Sequence, residues 1–263
     1  MLTPYLAFAK KSFLSKSAYR FEHYMGIFNT VLRIFIFWEI YKALYGGRAE
    51  VDGVTMSMVT TNFILSLCLD AAFTMNDFYL PNRIRNGSIA TELLLPISFK
   101  GRMLADNMGQ AAFKLVFHFI PAVIVSVLVV GISAPASFPM LLLFVVSAAL
   151  GYGVLWSISF AVQMCAFWLI NVWSIVTIKN VFINVLSGSM LPLWFMPEWM
   201  QGVLKFTPFS SIYFTPVQIY LGELGYGEIA VKCLIQLVWI AVICFIGNVL
   251  WERGKKKLVV QGG

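Results

Sequence analysis

Long apolar runs separated by basic clusters limit this chain more than any other feature. Six such runs lie near residues 24–45, 54–75, 107–131, 139–163, 171–193 and 229–250. About 20 mostly apolar residues cross the hydrocarbon core of a bilayer. There every backbone N–H and C=O must be paired internally, which leaves helices as the economical solution. The expected fold is therefore all-α: a polytopic membrane protein with six transmembrane helices in a single domain over 1–263. Composition agrees, with 60% hydrophobic and 12% charged residues, against about 45–50% and about 25% in soluble domains. Six spans use roughly 120 residues, which leaves no room for a nucleotide-hydrolysing domain of ordinary size. The formal charge of +7 would raise nucleic acid as a partner of a soluble protein. Here the basic residues flank apolar runs, so lipid headgroups account for them and no nucleic acid is expected.

The first 20 residues hold Lys10, Lys11, Lys16 and Arg20 without a cleavable apolar core, so no signal peptide is expected. Within 1–23, Leu2, Tyr5, Leu6, Ala9 and Phe13 recur at helical spacing with the lysines off that stripe. This suits a basic amphipathic helix at the membrane interface. Gly46-Gly47 ends the first span, GISAPAS (131–137) separates the third from the fourth, and a short apolar stretch near Gln163–Asn171 joins the fourth to the fifth. Loop charges set orientation. Lys10, Lys11, Lys16, Arg20, Arg83, Arg85, Lys100, Arg102, Arg253, Lys255, Lys256 and Lys257 fall on one side, and Arg48 and Lys205 on the other. Both termini are therefore expected in the cytoplasm, in agreement with an even number of spans.

Two inter-span segments are unlike ordinary loops. Residues 76–106, expected to be cytoplasmic, are too long for a turn and too apolar at LLLP for a free linker. Asn86-Gly87 signals a turn. Ser88, Ile89, Glu92 and Leu93 suit a short helix stopped by Pro96. Residues 188–228, expected to be external, combine Pro192, Trp194, Pro197, Trp199 and Pro208 with little charge. Aromatics favour the membrane interface and the prolines break the chain, so broken helices re-entering the outer leaflet are expected.

Catalytic and metal signatures are absent from the sequence: no HExxH, no GxSxG, no phosphate-binding loop, and cysteines (Cys68, Cys165, Cys233, Cys244) without metal spacing. Ionisable residues within spans are costly there. Arg33, Asp70, Lys114, His118 and Lys179 cluster in the inner halves of four different helices, which points to a polar vestibule or substrate pathway, with Asp70 paired to Lys114 or Lys179. Long Lys and Arg chains near span ends can equally snorkel to the headgroups. Glu39 and Lys42 are spaced to pair near the outer interface.

The order of these features resembles the membrane subunit of ABC-2 type exporters, in particular the small stand-alone permeases. The stretches that carry the resemblance are Arg85-Asn86-Gly87-Ser88-Ile89-Ala90-Thr91-Glu92-Leu93-Leu94-Leu95-Pro96-Ile97, Pro192-Leu193-Trp194-Phe195-Met196-Pro197-Glu198-Trp199, Pro208-Phe209, and Pro216-Val217-Gln218-Ile219-Tyr220-Leu221-Gly222. Members often carry Arg before the connector proline, where this chain has Leu95. The resemblance implies a non-enzymatic permease in a bacterial-type inner (plasma) membrane, paired with a second permease that is the same or a sister chain. Two copies of a separate ATPase would carry the ATP and magnesium, with no cofactor bound on this chain. It assigns ATPase coupling to the connector, at Arg83, Arg85, Asn86, Gly87, Glu92, Leu93, Leu94 and Pro96. The expected cargo is hydrophobic, amphipathic or cationic. The other function considered is an ion-coupled secondary transporter or channel using Asp70, Lys114 and His118.

Overall fold

The computed structural model describes residues 3–17, 20–51 and 53–258. The chain begins with α1 (Thr3–Ser17) and α2 (Arg20–Tyr45), followed by a two-residue hairpin pairing Glu50–Val51 with Val54–Thr55. Gly46 and Gly47 adopt φ of +55° and +81°, a conformation open to glycine, and so end α2 where the sequence signals it. Thr55 then caps α3 (Met56–Ala72), accepting the Met58 N–H at 3.2 Å. Twelve of the 17 residues of α3 are buried, and it forms the centre of the bundle.

The connector holds α4 (Tyr79–Arg85) and α5 (Ile89–Leu93). After it, α6 (Phe99–Lys114) runs through a π turn (Leu115–Phe119) into α7 (Ile120–Val129). The π turn has an identifiable cause. Pro121 has no N–H for the carbonyl one turn back, and the Ile120 N–H bonds to Leu115 O instead, five residues away. The remaining helices are α8 (Phe138–Met164, extended by a 3₁₀ turn to Phe167), α9 (Trp173–Leu186), α10 (Glu198–Leu204), α11 (Phe214–Leu221) and α12 (Tyr226–Lys255).

Three helical stretches are long and apolar enough to cross a membrane: Phe99–Val129, Phe138–Phe167 and Tyr226–Lys255. Met56–Ala72 and Trp173–Leu186 are shorter apolar helices. Two expected boundaries move. The third apolar helix starts at Phe99 rather than 107, because Ser98 caps it through the Gly101 N–H at 3.3 Å and Phe99 stacks on Trp251 at 5.1 Å. The last residues of the expected connector are therefore the foot of a long helix. The fifth stops at Leu186 rather than 193, where Gly188 turns left-handed at φ +79°. Its 14 residues cover only about 21 Å of a hydrocarbon core of about 30 Å.

Close backbone approach fixes how the helices pair. A Cβ on Gly151 of α8 would lie 2.5 Å from Ile212 O, and one on Gly247 of α12 would lie 2.5 Å from the Phe160 ring. Buried Gln236 of α12 donates to Ser147 O at 3.0 Å and to Ser211 O at 2.8 Å. The faces of α7, α9 and α12 that carry Leu128, Phe182 and Phe245 stay uncovered, as surfaces meeting lipid should.

The N-terminal helix packs tightly along α6. Tyr5 Oη accepts the Ser98 N–H at 3.1 Å, Ser12 hydrogen-bonds Asp106, and Phe13 meets Phe113 edge-on at 5.4 Å. Of the expected stripe, Tyr5, Ala9 and Phe13 face this contact, Leu6 points away at 68% exposure, and Leu2 lies outside the described residues. Ser12 takes part instead, because α6 offers it a carboxylate.

A Cβ on Gly109 would lie 2.1 Å from Ala9 O, whereas one on Gly202 of α10 meets nothing within 4 Å. Gly109→Val should therefore lower stability by about 1–3 kcal/mol and make α1 accessible to protease. Gly202→Ala should be neutral or stabilising by up to about 1 kcal/mol. Thermal unfolding and limited proteolysis of the detergent-solubilised chain would check both.

Candidate functional site

Residues 73–78 link the central helix α3 to the connector helices, and three surrounding helices each place a buried polar side chain on this stretch or on the first turn of α4. From α6, Asn107 Oδ1 accepts the Asn76 N–H at 2.9 Å, while its own Nδ2 donates to Met103 O. From α8, Gln163 Oε1 accepts the Leu80 N–H at 3.2 Å. From α9, Lys179 Nζ lies 2.6 Å from Asp77 Oδ2 and donates to Ser159 Oγ of α8 at 3.0 Å. Lys179 is 6% exposed and Asp77 8%. Each of these side chains holds a group that would otherwise be costly to bury.

A second anchor fixes the connector internally. Glu92 of α5 receives Arg83 Nε of α4 at 2.9 Å on one oxygen and Arg102 of α6 on the other. Arg102 is almost fully buried, with Phe8 and Phe99 rings against its guanidinium. Leu80 and Ile89 sit in one apolar cluster with Met103, Phe160, Met164 and Trp251. Glu92 is therefore spent on holding α4, α5 and α6 together. The outward-facing part of the connector is Arg85, Asn86, Gly87 and Leu93 through Pro96, with Leu94 84% exposed. A cavity of about 1000 Å³ beside it is lined by Arg85, Gly87, Leu93, Leu94, Phe167 and Lys257.

The residues expected to form a polar vestibule divide into two places. Asp70 and Lys179 line a cavity of about 300 Å³ with Thr74, Asp77, Asn184 and Tyr213. Lys114 donates to Thr74 at 2.6 Å. The charges of Arg33, Lys114 and Lys179 all act on Asp70. The expected pairing of Asp70 is replaced, however. Its carboxylate accepts from Tyr213 Oη at 2.9 Å, and Lys179 takes Asp77, which the linker brings closer. His118 lies apart from this cavity, buried in the π turn with Nε2 2.9 Å from Thr30 Oγ1 of α2. The pair Glu39–Lys42 forms at 3.8 Å. Among the described residues, no group of three His, Cys, Asp or Glu is placed to hold a metal, and all four cysteines are free thiols.

The aromatic, proline-rich segment folds into short helices. Pro192 and Pro197 take extended ψ of 138° and 145° and precede a 3₁₀ turn and α10. Trp194 meets Phe214 edge-on at 5.0 Å, and Gln201 Nε2 donates to Trp194 O and Met196 O. Pro208 is half-buried and Trp199 is 70% exposed. The chain then dips into the bundle. Ile212 O packs on Gly151, midway along α8, and Tyr213 reaches Asp70 before α11 climbs back out. Beyond it, burial holds the Glu223 carboxyl above the usual carboxylate range, against hydrogen bonds from Gln218 and Trp194.

Sequence reasoning missed Asp77, Arg102, Gln163 and Tyr213. Asp77 and Arg102 fell within the expected connector, where charge reads as solvated. Gln163 was available as a signal, being a polar residue at the end of an apolar run.

Long apolar helices, apolar outer faces and a dipping proline-rich segment define a polytopic helical membrane protein. The family model described as ABC-2 family transporter protein matches residues 27–262, and the chain belongs to that family, whose members are membrane subunits of transporters. No curated protein matches the chain.

Glu92→Gln would leave Arg102 buried without its counter-charge and should cost about 3–5 kcal/mol. The double change Glu92→Leu with Arg102→Met should recover most of that loss in thermal unfolding. The raised Glu223 carboxyl means the folded chain binds this proton more tightly than the unfolded one. Its contribution to stability is therefore full below about pH 4.5 and is lost as pH rises through the folded value. Glu223→Gln should flatten that part of a stability-versus-pH profile.

Proposed function

We propose that the chain is the permease subunit of an ATP-driven exporter that moves a hydrophobic, amphipathic or cationic compound out of the cell. It would cross the plasma membrane six times with both termini inside, pair with a second permease, and be driven by two ATPase subunits that carry the ATP and magnesium. Family membership supports the class. The observation that carries the coupling reading is the three-helix grip on the linker between α3 and α4. An ATPase that seats Arg85, Asn86, Gly87, Leu93, Leu94 and Pro96 and displaces them would also displace Asn76, Asp77 and Leu80. Asn107, Lys179 and Gln163 would then pass the movement to α6, α9 and α8. The pathway residues Arg33, Asp70, Lys114 and Lys179 lie on or around the helices so moved, and the segment with Pro192, Trp194, Pro197, Trp199 and Pro208 would cap the exit.

The grip and the Glu92 anchor beside it are incompletely satisfied. Among the described residues, Asp77 Oδ1, Gln163 Nε2 and Arg102 Nε are buried without a hydrogen-bond partner. Unsatisfied buried polar atoms narrow the energy gap to an alternative packing, which suits an element that must switch.

The polar cavity at Asp70 and Tyr213 favours a second reading, in which an ion gradient drives transport without an ATPase. The test is co-purification of the full chain with products of neighbouring reading frames. An ATPase should remain bound to the natural chain and be lost with Leu93→Asp and Leu94→Asp, which touch an exposed surface and should leave membrane insertion unchanged. Retention of the ATPase by that variant, or transport by the chain alone, would overturn the proposal.

A further inference from the structure

A cavity of about 660 Å³ lies between the α10–α11 segment and the start of α12, far from the connector. Its size is that of a site for a medium-sized organic group. Leu193, Trp194, Phe206, Phe214, Val231 and Ile235 give it a largely apolar wall. Its polar edge carries two lysines. Lys232 Nζ donates to the Lys205 carbonyl oxygen at 3.4 Å, which sets the two residues side by side, and their charges repel. Among the described residues neither lysine has a carboxylate within ion-pair distance. Glu228, which also lines the cavity, is turned to the Gly225 N–H at 3.0 Å. Trp239 Nε1 donates to Phe206 O at 2.9 Å and ties the lysine-bearing loop to α12. Exposed Trp199 of α10 stands on the same segment, and tryptophan is enriched at the headgroup level of a bilayer. The lysines are thus placed where lipid phosphates lie, above an apolar wall that an acyl chain fits.

We propose that this cavity binds an anionic phospholipid, with its phosphate between Lys205 and Lys232 and one acyl chain along Trp194, Phe214 and Val231. The ligand is committed to the bilayer rather than to a free anion, because the apolar wall would have no partner in inorganic phosphate. The inference is independent of the ATPase and of the coupling mechanism, so its failure leaves the proposed function intact.

Trp194 reports occupancy directly. The full chain is placed in phosphatidylcholine nanodiscs and titrated with phosphatidylglycerol brominated on its acyl chains, or with brominated phosphatidylcholine. The Trp194 signal is the difference between the natural chain and Trp194→Phe. It should be quenched with a preference for phosphatidylglycerol of roughly fivefold or more, the Glu228 charge offsetting one of the two lysines. Lys205→Gln with Lys232→Gln should abolish the preference, while Lys205→Arg with Lys232→Arg retains it and shows that the folded site survives substitution. Inorganic phosphate at matched ionic strength should not relieve the quenching. Equal quenching by both lipids, a preference that survives the glutamine pair, or relief by inorganic phosphate would each overturn the proposal.

Discussion

An ammonium group buried among apolar helices keeps its charge only beside a counter-charge and further polar partners, and for Lys179 these are Asp77 and Ser159. The pair joins α9 and α8 to the short stretch between the central helix and the connector. Removing one partner of such a pair costs about 3–5 kcal/mol, whereas replacing both by apolar groups is often neutral. The pair therefore contributes less to net stability than to choosing which surfaces stay together. Here it selects the linker as the place where α9 is held, and the neighbouring bonds from Asn107 and Gln163 hold α6 and α8 within the same few residues. A displacement of the connector cannot leave these three helices unaffected unless those contacts break.

The other anchors tie the helices into two further groups. The Glu92 carboxylate, held by Arg83 and Arg102, makes the connector a stiff unit seated on the foot of α6. Helix α1 runs along that same foot, through a glycine contact that no larger residue could make. At the other end, α11 wedges against α3 and α8, and Tyr213 carries that contact to Asp70. A polar cavity thus lies between an element tied to the connector and an element tied to the aromatic segment. Its two carboxylates, Asp70 and Asp77, belong to different parts of this arrangement.

Much of this was legible in the sequence. Apolar runs gave the helices, Gly46-Gly47 and the 131–137 break gave their ends, and Ser88 to Leu93 gave the short connector helix. Three things were not legible. Capping by Ser98 lengthened α6 backwards, because a polar first turn such as Phe99 to Arg102 reads as loop until Trp251 and α1 cover it. The partner of Lys179 came from a loop rather than a span, and residue spacing carries no information about a contact 102 positions away. His118 sits in the π turn that precedes Pro121 and meets Thr30 rather than Asp70. Pro121 was the available clue. Of the site, the residue types were readable and their pairings were not, because pairings depend on tertiary packing.

The central claim is that the connector moves α9 through the buried linker contacts. It is tested most directly by distances between spin labels on the lipid-facing positions Val181 of α9 and Val238 of α12. These would be measured in the chain assembled with its ATPase, nucleotide-free and ATP-trapped. The account predicts a distance change on trapping in the natural chain, and its loss when Asp77→Asn and Lys179→Met remove the pair while the assembly stays intact. A change of equal size in that double variant, or none in the natural chain, would contradict it.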